Sequence, residues 1–183
     1  MKKNILLLLF ISLNFSLYSQ NFEELFNRIE KFDTQEQYDQ VDPEILVAVN
    51  YLLSQPYKEN SKSYFFAYKS MMKWMNDSTK YHIVIGGKIM EDCGKGNLMV
   101  NMYMASMSKY LLIEHLENNR YVHPVKKEGI KYNDLDEVKE ILFNGAEIFM
   151  EYLKGQRKSV INKSLKKALK NYEKGNLKEY MFG

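Results

Sequence analysis

The stretch "GKGNLMVNMYMASMSKYLL", Gly94 to Leu112, is the segment that decides the fold. Its methionines are Met99, Met102, Met104 and Met107. At 100° per residue, the first two methionines form one pair on a helix and the last two form another, with the pairs centred about 140° apart. Methionine often fills irregular spaces in cores. The stretch therefore predicts a central helix from Asn97 to about Asn118 that is buried on most sides.

Two functional interpretations of this stretch compete with core packing. Thioether sulfur suits Cu(I), but two divergent pairs cannot converge on one ion, so a copper site would need sulfurs from a neighbour such as Met71, Met72 or Met75. A phosphate loop requires Gly-Lys-Ser/Thr, whereas Gly94-Lys95 is followed by Gly96. We expect Gly94 to end one helix in a left-handed cap and Asn97 to cap the next.

The same helix carries one polar stripe. Asn101, Ser108 and His115 recur every seven residues, and such a line drifts only about 20° per heptad on an ideal helix. We expect this narrow stripe to be the solvent-exposed side of an otherwise apolar helix.

Helical patterns also fill most of the remaining chain. Apolar residues at positions i, i+3, i+4 and i+7 predict helices near 22–32, 43–55, 61–76, 134–152 and 161–172. Asp42 is expected to cap the second of these helices, and Pro43 suits its first turn. The segment 77–93 fits a helix or a short strand followed by a turn, and we predict a helix because an isolated strand has no partner. The fold class is all-α: about seven helices in a bundle or in a short array of TPR-like pairs.

The N-terminus predicts export. Lys2 and Lys3 precede an apolar run of nine residues from Ile5 to Leu13, and a more polar segment ends in Tyr18-Ser19-Gln20. This layout is typical of a secretory signal peptide cleaved after Ser19, and the run is too short for a membrane-spanning helix of about 20 residues. The predicted organisation is a cleaved signal peptide at 1–19 and one domain at 20–183, exported to the periplasm or the exterior.

Composition and charge exclude several classes. With 45% hydrophobic and 14% aromatic residues, the chain is too apolar for a disordered tail. Loss of Lys2 and Lys3 lowers the formal charge from +3 to +1, so we expect no nucleic-acid partner. Residues 154–183 hold nine basic and two acidic side chains, and we interpret them as a solvated helix face.

Catalytic patterns are scarce. The three histidines, His82, His115 and His123, are not spaced for one metal within a helix turn, and no nucleophile elbow occurs. Cys93 is the only cysteine, so the chain has no internal disulfide. A thiol or hydrolytic enzyme that uses Cys93 with a histidine is one alternative function. We predict no catalytic residue, no metal site and no cofactor.

The best candidate for binding is the loop between the central helix and the next one, Asn118 to Asn133. It is longer than the usual connection of about 4–6 residues, and such loops often carry function. It offers cations and aromatic faces at six positions: Arg120, Tyr121, His123, Lys126, Lys127 and Tyr132. The alternative is a plain solvated connection between two helices; if the loop is a binding site, we expect it to bind another protein.

Several segments resemble uncharacterised exported all-helical proteins of Gram-negative bacteria. These segments are "YSQ", "VNYLLSQP", "MKWM", "NLMVNMYMASMSKYLL" and "KKALKNYEKGNLKEY". The resemblance implies export and a helical fold, and it implies no activity, cofactor or site residue. Our first hypothesis is therefore an exported, non-catalytic interaction or envelope-associated module, with the thiol enzyme and the methionine Cu(I) site as alternatives.

Overall fold

The structure is a computed structural model that describes residues 22–57, 60–78, 80–94 and 99–183. The predicted signal peptide and the predicted cap Asn97 lie outside these ranges. Over the described residues the chain is all-α, as predicted, with nine α-helices and no strand. The described part contains no helix that is both long and apolar enough to cross a membrane.

The helices are numbered in chain order. Their bounds are α1 Phe22–Ile29, α2 Gln35–Gln40, α3 Asp42–Ser54, α4 Lys62–Asp77, α5 Lys88–Cys93, α6 Met99–Leu116, α7 Asp136–Lys154, α8 Lys163–Glu173 and α9 Leu177–Phe182. A 3-10 turn, Tyr132–Asp134, precedes α7. The short helices α2 and α9 raise the number above the seven that periodicity predicts.

Helix α6 lies at the centre of the fold. It packs most extensively against α7 on one side and α3 on another, while α4 joins α3 to α1. Met99, Met102 and Met107 are at most 2% exposed, and Met104 is half-buried. The sulfur of Met102 accepts a hydrogen bond from the Tyr64 hydroxyl at 3.6 Å. The predicted burial of the methionine helix is confirmed, because α6 has helices packed around it.

The polar stripe of α6 is only partly exposed to solvent. Ser108 is fully buried, and its hydroxyl donates to the Met104 carbonyl one turn earlier at 3.0 Å. Asn101 donates to the Tyr68 hydroxyl of α4 at 2.8 Å, and His115 is hydrogen-bonded to Tyr81. The stripe is therefore a line of hydrogen-bonded polar side chains that is buried at Ser108 and half-buried at Asn101 and His115, so it is less exposed to solvent than predicted.

The C-terminal helices pack beside α7. Helix α8 contacts α5, α7 and α9, and α5 also contacts α6. Asn162 caps α8 by accepting from the Leu165 amide at 2.9 Å, and its own amide group donates to the Asp92 carbonyl at 2.8 Å. Gly175, with a φ of 74°, follows the last turn of α8, which ends at Glu173.

The prediction of a helix over 77–93 was wrong for most of that range. Of the described residues in that range, Asp77 ends α4 and Lys88–Cys93 forms α5, whereas residues 81–86 are neither helix nor strand. Gly86 and Gly87 have φ values of 144° and 81°, which a continuous helix does not allow. Tyr81 and Val84 are buried whereas Ile85 is 80% exposed. This irregular segment is fixed by contacts to other elements, as described below.

Candidate functional site

The segment 80–87 and the loop after α6 meet over a buried polar network that begins at Asp42. Asp42 is the first residue of α3, not its cap, and it is fully buried. Its carboxylate accepts the indole N–H of Trp74 at 2.9 Å and the hydroxyl of Tyr81 at 2.5 Å. The sequence predicted a local capping role, and the structure instead uses this side chain to join α3, α4 and the segment 80–87.

His115, in the last turn of α6, extends the network towards the surface. Its Nδ1 lies 2.5 Å from the Tyr81 hydroxyl. Because Tyr81 gives its only hydroxyl proton to Asp42, Nδ1 must be the donor to the Tyr81 oxygen. In the neutral ring, Nε2 then accepts the hydroxyl proton of Tyr121. A single directed chain of hydrogen bonds therefore runs from the exposed Tyr121 to the buried Asp42.

Burial sets the proton affinities along this chain. Loss of solvent raises the pKa of Asp42, and the hydrogen bonds from Tyr81 and Trp74 oppose that rise only in part. Burial also raises the pKa of Tyr81, and the neighbouring Asp42 carboxylate raises it further. Tyr81 therefore stays a neutral donor. Since Asp42 is 0% exposed, it cannot touch a ligand, and the arrangement works as an internal anchor.

An ion pair covers the outer edge of the network. Lys80 Nζ lies 2.8 Å from Asp39 Oδ2 and 4.5 Å from the centre of the Tyr121 ring. Burial favours the neutral form of Asp39, but the hydrogen bonds from Lys80 and Gln35 outweigh it and lower the pKa of this carboxyl. The ring of Tyr121 is thus held between His115, with ring centres 4.2 Å apart, and the Lys80 cation.

Arg120, which the sequence selected for binding, is used structurally. Its guanidinium lies 2.6 Å from Glu114 of α6 and 2.5 Å from Glu140 of α7, and it also donates to the Tyr110 hydroxyl at 2.9 Å. The hydrogen bond from Arg120 lowers the pKa of Glu140, although burial opposes the shift. This cluster ties the start of the loop to both central helices.

The other selected residues lie at or near the surface. Tyr121 is 42% exposed although its hydroxyl is bound to His115, and Tyr132 is 50% exposed. Lys126 is exposed, and Lys127 lies 3.6 Å from Glu137. His123 contacts His82 of the segment 80–87. The structure therefore leaves the second half of the loop most available for a partner.

Exposed apolar side chains concentrate in this region. Of the seven large apolar or aromatic side chains that are exposed among the described residues, six belong to it: Ile85, Leu116, Tyr121, Val125, Ile130 and Tyr132. We call these six side chains the loop surface. The two segments that carry most of them meet at the Tyr81–Tyr121 contact, with ring centres 6.2 Å apart, and at the His82–His123 contact.

The two histidines of this junction come from positions 41 residues apart. Their Nε2 atoms are 3.3 Å apart, and their ring centres are 4.1 Å apart. Burial lowers the pKa of His82, and the neighbouring His123 lowers it further. Sequence spacing did not reveal this pair, because neither segment is a regular element whose geometry could be projected.

Cys93 lies elsewhere, at the end of α5. Its thiol is fully buried, and burial raises its pKa to about 12, with a further contribution from Asp92. Among the described residues, the three histidines make their hydrogen bonds and ion pairs with the network or with one another, and none of these contacts involves Cys93. The thiol-enzyme hypothesis gains no support from this environment, since a thiol in that state is not a nucleophile at neutral pH.

In the described ranges, no three His, Cys, Asp or Glu side chains are placed so that they could hold one metal ion together. Comparison of the chain with protein-family models, with curated proteins and with solved structures finds no match. The loop surface and its anchors are therefore the features of the described residues that bear on function.

Sequence reasoning missed Asp42, Trp74 and Tyr81 as members of the site. An aspartate before Pro43 at a helix start has a sufficient local explanation, so nothing in the pattern indicates a tertiary role. His115 was noticed only as part of the polar stripe. A signal does exist in retrospect: a histidine in the last turn of an otherwise apolar helix must find a partner if the helix is buried.

Proposed function

We propose that the protein is an exported, non-catalytic helical module that binds another protein through the loop surface. The observation that carries this proposal is the concentration of exposed large apolar side chains: among the described residues, six of seven lie on the segment 80–87, on the loop after α6 or at the last residue of α6. Clustered exposed apolar side chains on an otherwise polar surface are typical of interaction sites. Consecutive helices that pack on each other, α3 with α4 and α6 with α7, also fit a TPR-like arrangement.

Charge indicates the chemistry of the partner. The loop between Tyr121 and Tyr132 contains three lysines and one glutamate. Lys127 is near Glu137, and Lys126 and Lys131 are exposed. A partner face that combines apolar side chains with carboxylates would complement this surface, since opposite charges at the rim of an interface favour association.

Anchoring supports a binding role. Arg120 and Tyr121 hold one end of the loop against α6 and α7, while Tyr81 holds the other segment against α3. Binding to an ordered surface costs less conformational entropy than binding to a mobile one. The network thus serves binding by keeping exposed apolar side chains in place.

The test compares three forms of the protein in quantitative pull-downs from an envelope fraction. The surface variant is the triple change Val125→Asp, Ile130→Asp and Tyr132→Asp. The matched control is Phe65→Asp, which charges the large exposed apolar side chain that lies outside the loop surface in the part of the chain that the structure describes. We expect a specific partner to be retained by the wild type and the control and lost with the triple variant. Equal recovery with all three forms would overturn the proposed surface.

Export has a separate test. The cells that produce the protein are fractionated, and the protein in each fraction is sequenced from its N-terminus. We expect to find it in the extracytoplasmic fraction, as a mature chain that begins at Gln20. A chain that stays in the cytoplasm with Met1 or Lys2 at its start would overturn this part of the proposal and leave the binding surface to be judged alone.

A further inference from the structure

Five exposed lysines follow one side of α8 and continue to the residue after it. We call them the lysine row: Lys163, Lys166, Lys167, Lys170 and Lys174. At 100° and 1.5 Å per residue, they fall within an arc of about 100° and extend about 16 Å along the helix. Leu165 and Ala168, on the opposite side of α8, are fully buried. The packing of α8 therefore turns the lysine row towards solvent.

The lysine row is not neutralised by carboxylates of its own chain. None of the ion pairs among the described residues includes one of its members. The acidic residue of α8 is Glu173, the last one of the helix. The segment 20–60 holds nine acidic and three basic residues, but α8 packs mainly on α5, α7 and α9. Five positive charges thus remain available to an external partner.

Helix stability does not explain the lysine row. Like charges three or four residues apart destabilise a helix, and Lys166 has such neighbours on both sides, at Lys163 and Lys170. Lys163 is also the first residue of α8, where a cation opposes the helix dipole, and the first turn contains no acidic residue. A solvated helix face, as inferred from sequence, would be served as well by mixed charges. An anionic partner would relieve this repulsion.

We propose that the lysine row binds the surface of a lipid bilayer that contains anionic phosphate headgroups. A bilayer surface is flat, so a straight row on the convex side of a helix can contact it at all five positions together. Each lysine near an anionic bilayer strengthens binding about fivefold.

The residue types favour a bilayer over a discrete anionic group or a nucleic acid. Bidentate recognition of one carboxylate or phosphate favours the planar fork of arginine, whereas lysine acts as a mobile point charge. The row consists of lysine throughout. Bases of a single strand stack on aromatic side chains. The aromatic residue of α8, Tyr172, lies on the other side of the helix and donates to Glu151.

The test measures co-sedimentation of the full chain with vesicles of phosphatidylcholine, with or without about 30% phosphatidylglycerol as the anionic lipid. The apolar run at 5–13 is present in every form of the protein, and the vesicles without phosphatidylglycerol measure its contribution. We expect tighter binding to the anionic vesicles. The difference should vanish when salt rises from about 0.1 M to about 1 M, because the Debye length falls from about 10 Å to about 3 Å.

The row variant is Lys163→Gln with Lys166→Gln, which should bind the anionic vesicles about 25-fold more weakly than the wild type. The matched control, Lys31→Gln with Lys69→Gln, removes the same charge from exposed lysines outside the row and should bind as the wild type does. Lys163→Arg with Lys166→Arg keeps the charge and should also bind normally. Urea denaturation should show the row variant to be at least as stable as the wild type, so unfolding would not explain its weaker binding.

Two results would overturn the site: equal binding of the wild type to both kinds of vesicle, or equal binding of the row variant and the control to the anionic vesicles. A single-stranded DNA that binds the wild type more tightly than the anionic vesicles do, and the row variant weakly, would overturn the assignment to a bilayer. The lysine row shares no residue with the loop surface, so these results do not depend on the proposed protein partner.

Discussion

Gly145 of α7 faces Met107 of α6 so closely that a Cβ at position 145 would lie 3.2 Å from the Met107 Cα and would overlap the Met107 side chain. The two longest helices therefore approach each other with nothing between them at this point. A glycine lowers the stability of a helix interior by about 1 kcal/mol relative to alanine. Its presence here is explained by the close approach.

Gly145→Ala is predicted to destabilise the protein despite the better helix propensity of alanine. Overpacking of a close-packed core costs about 1–3 kcal/mol, and the Met107 backbone cannot move away as a flexible side chain could. Chemical denaturation followed by circular dichroism measures the change. Gly155→Ala is the control, because its nearest neighbour would lie at an ordinary 3.5 Å. Equal stabilities of the two variants would contradict the close packing.

Asp42→Asn is predicted to lower stability by about 1–3 kcal/mol, because the amide cannot accept both hydrogen bonds and leaves a buried donor unsatisfied. The cost should also depend on pH. Since the folded pKa of Asp42 is raised, the wild type gains stability when this group is protonated. The free energy of unfolding of the wild type should therefore exceed that of the variant by less and less as pH rises. The decrease begins near pH 3.9, the usual pKa of aspartate, and continues through the raised pKa of the folded state. Urea denaturation across this range measures it.

Asp39→Asn is the matched control, because its effect on stability should change with pH in the opposite direction. The folded pKa of Asp39 is lowered, so its contribution to stability is present above the unfolded pKa and is lost as pH falls through the folded pKa. The difference between wild type and this variant should grow as pH rises. The same trend in both variants would contradict the assignment of Asp42 as the buried member of the network.

Cys93 is predicted to resist modification in the folded protein. With a pKa of about 12 and no exposed surface, the thiol offers on the order of a thousandfold less thiolate at pH 8 than a free cysteine. Iodoacetamide labelling followed by mass spectrometry should be slow in buffer and complete in denaturant. Rapid labelling of the native chain would revive the thiol-enzyme hypothesis.

Arg120→Gln is predicted to loosen the loop while changing global stability by less than about 1 kcal/mol, since its ion pairs are half-exposed. Trypsin should then cleave after Lys126 and Lys127 faster than in the wild type, as mass spectrometry can follow. Arg157→Gln, which removes an arginine outside the loop, should leave these cleavage rates unchanged. Unaltered cleavage in both variants would show that the Arg120 cluster does not anchor the loop.

How far the sequence predicted the fold depends on where regular periodicity ends. The apolar faces of α1, α3, α4 and α6–α8 are visible in a single chain, since the helical repeat places contacting residues at known spacings. Helical periodicity did not predict the structure of the segment 77–93 correctly. Tyr81 and Ile83 alternate as in a strand, but this segment forms no regular element, and Gly86 and Gly87 take positive φ values directly after it.

The binding role of the loop after α6 stays a prediction, but its exposure can be compared with the sequence. The loop from Asn118 to Asn133 was selected because of its length and its side chains, and it does carry much of the loop surface. The sequence did not indicate the ion pairs of Arg120 with Glu114 and Glu140, because they depend on how α6 and α7 pack. Nothing local to Arg120 indicates that these two carboxylates converge on it.

By itself, the sequence determined an all-α fold with a methionine-rich helix at its centre, because hydrophobic periodicity and helix-end residues act over a few turns of chain. Only the tertiary structure decided that Asp42, Tyr81 and His115 form one network and that His82 lies beside His123. These partners are separated by 34 to 41 residues. Contacts at that range depend on the packing of whole helices and on an irregular segment, and neither has a repeat that the sequence displays.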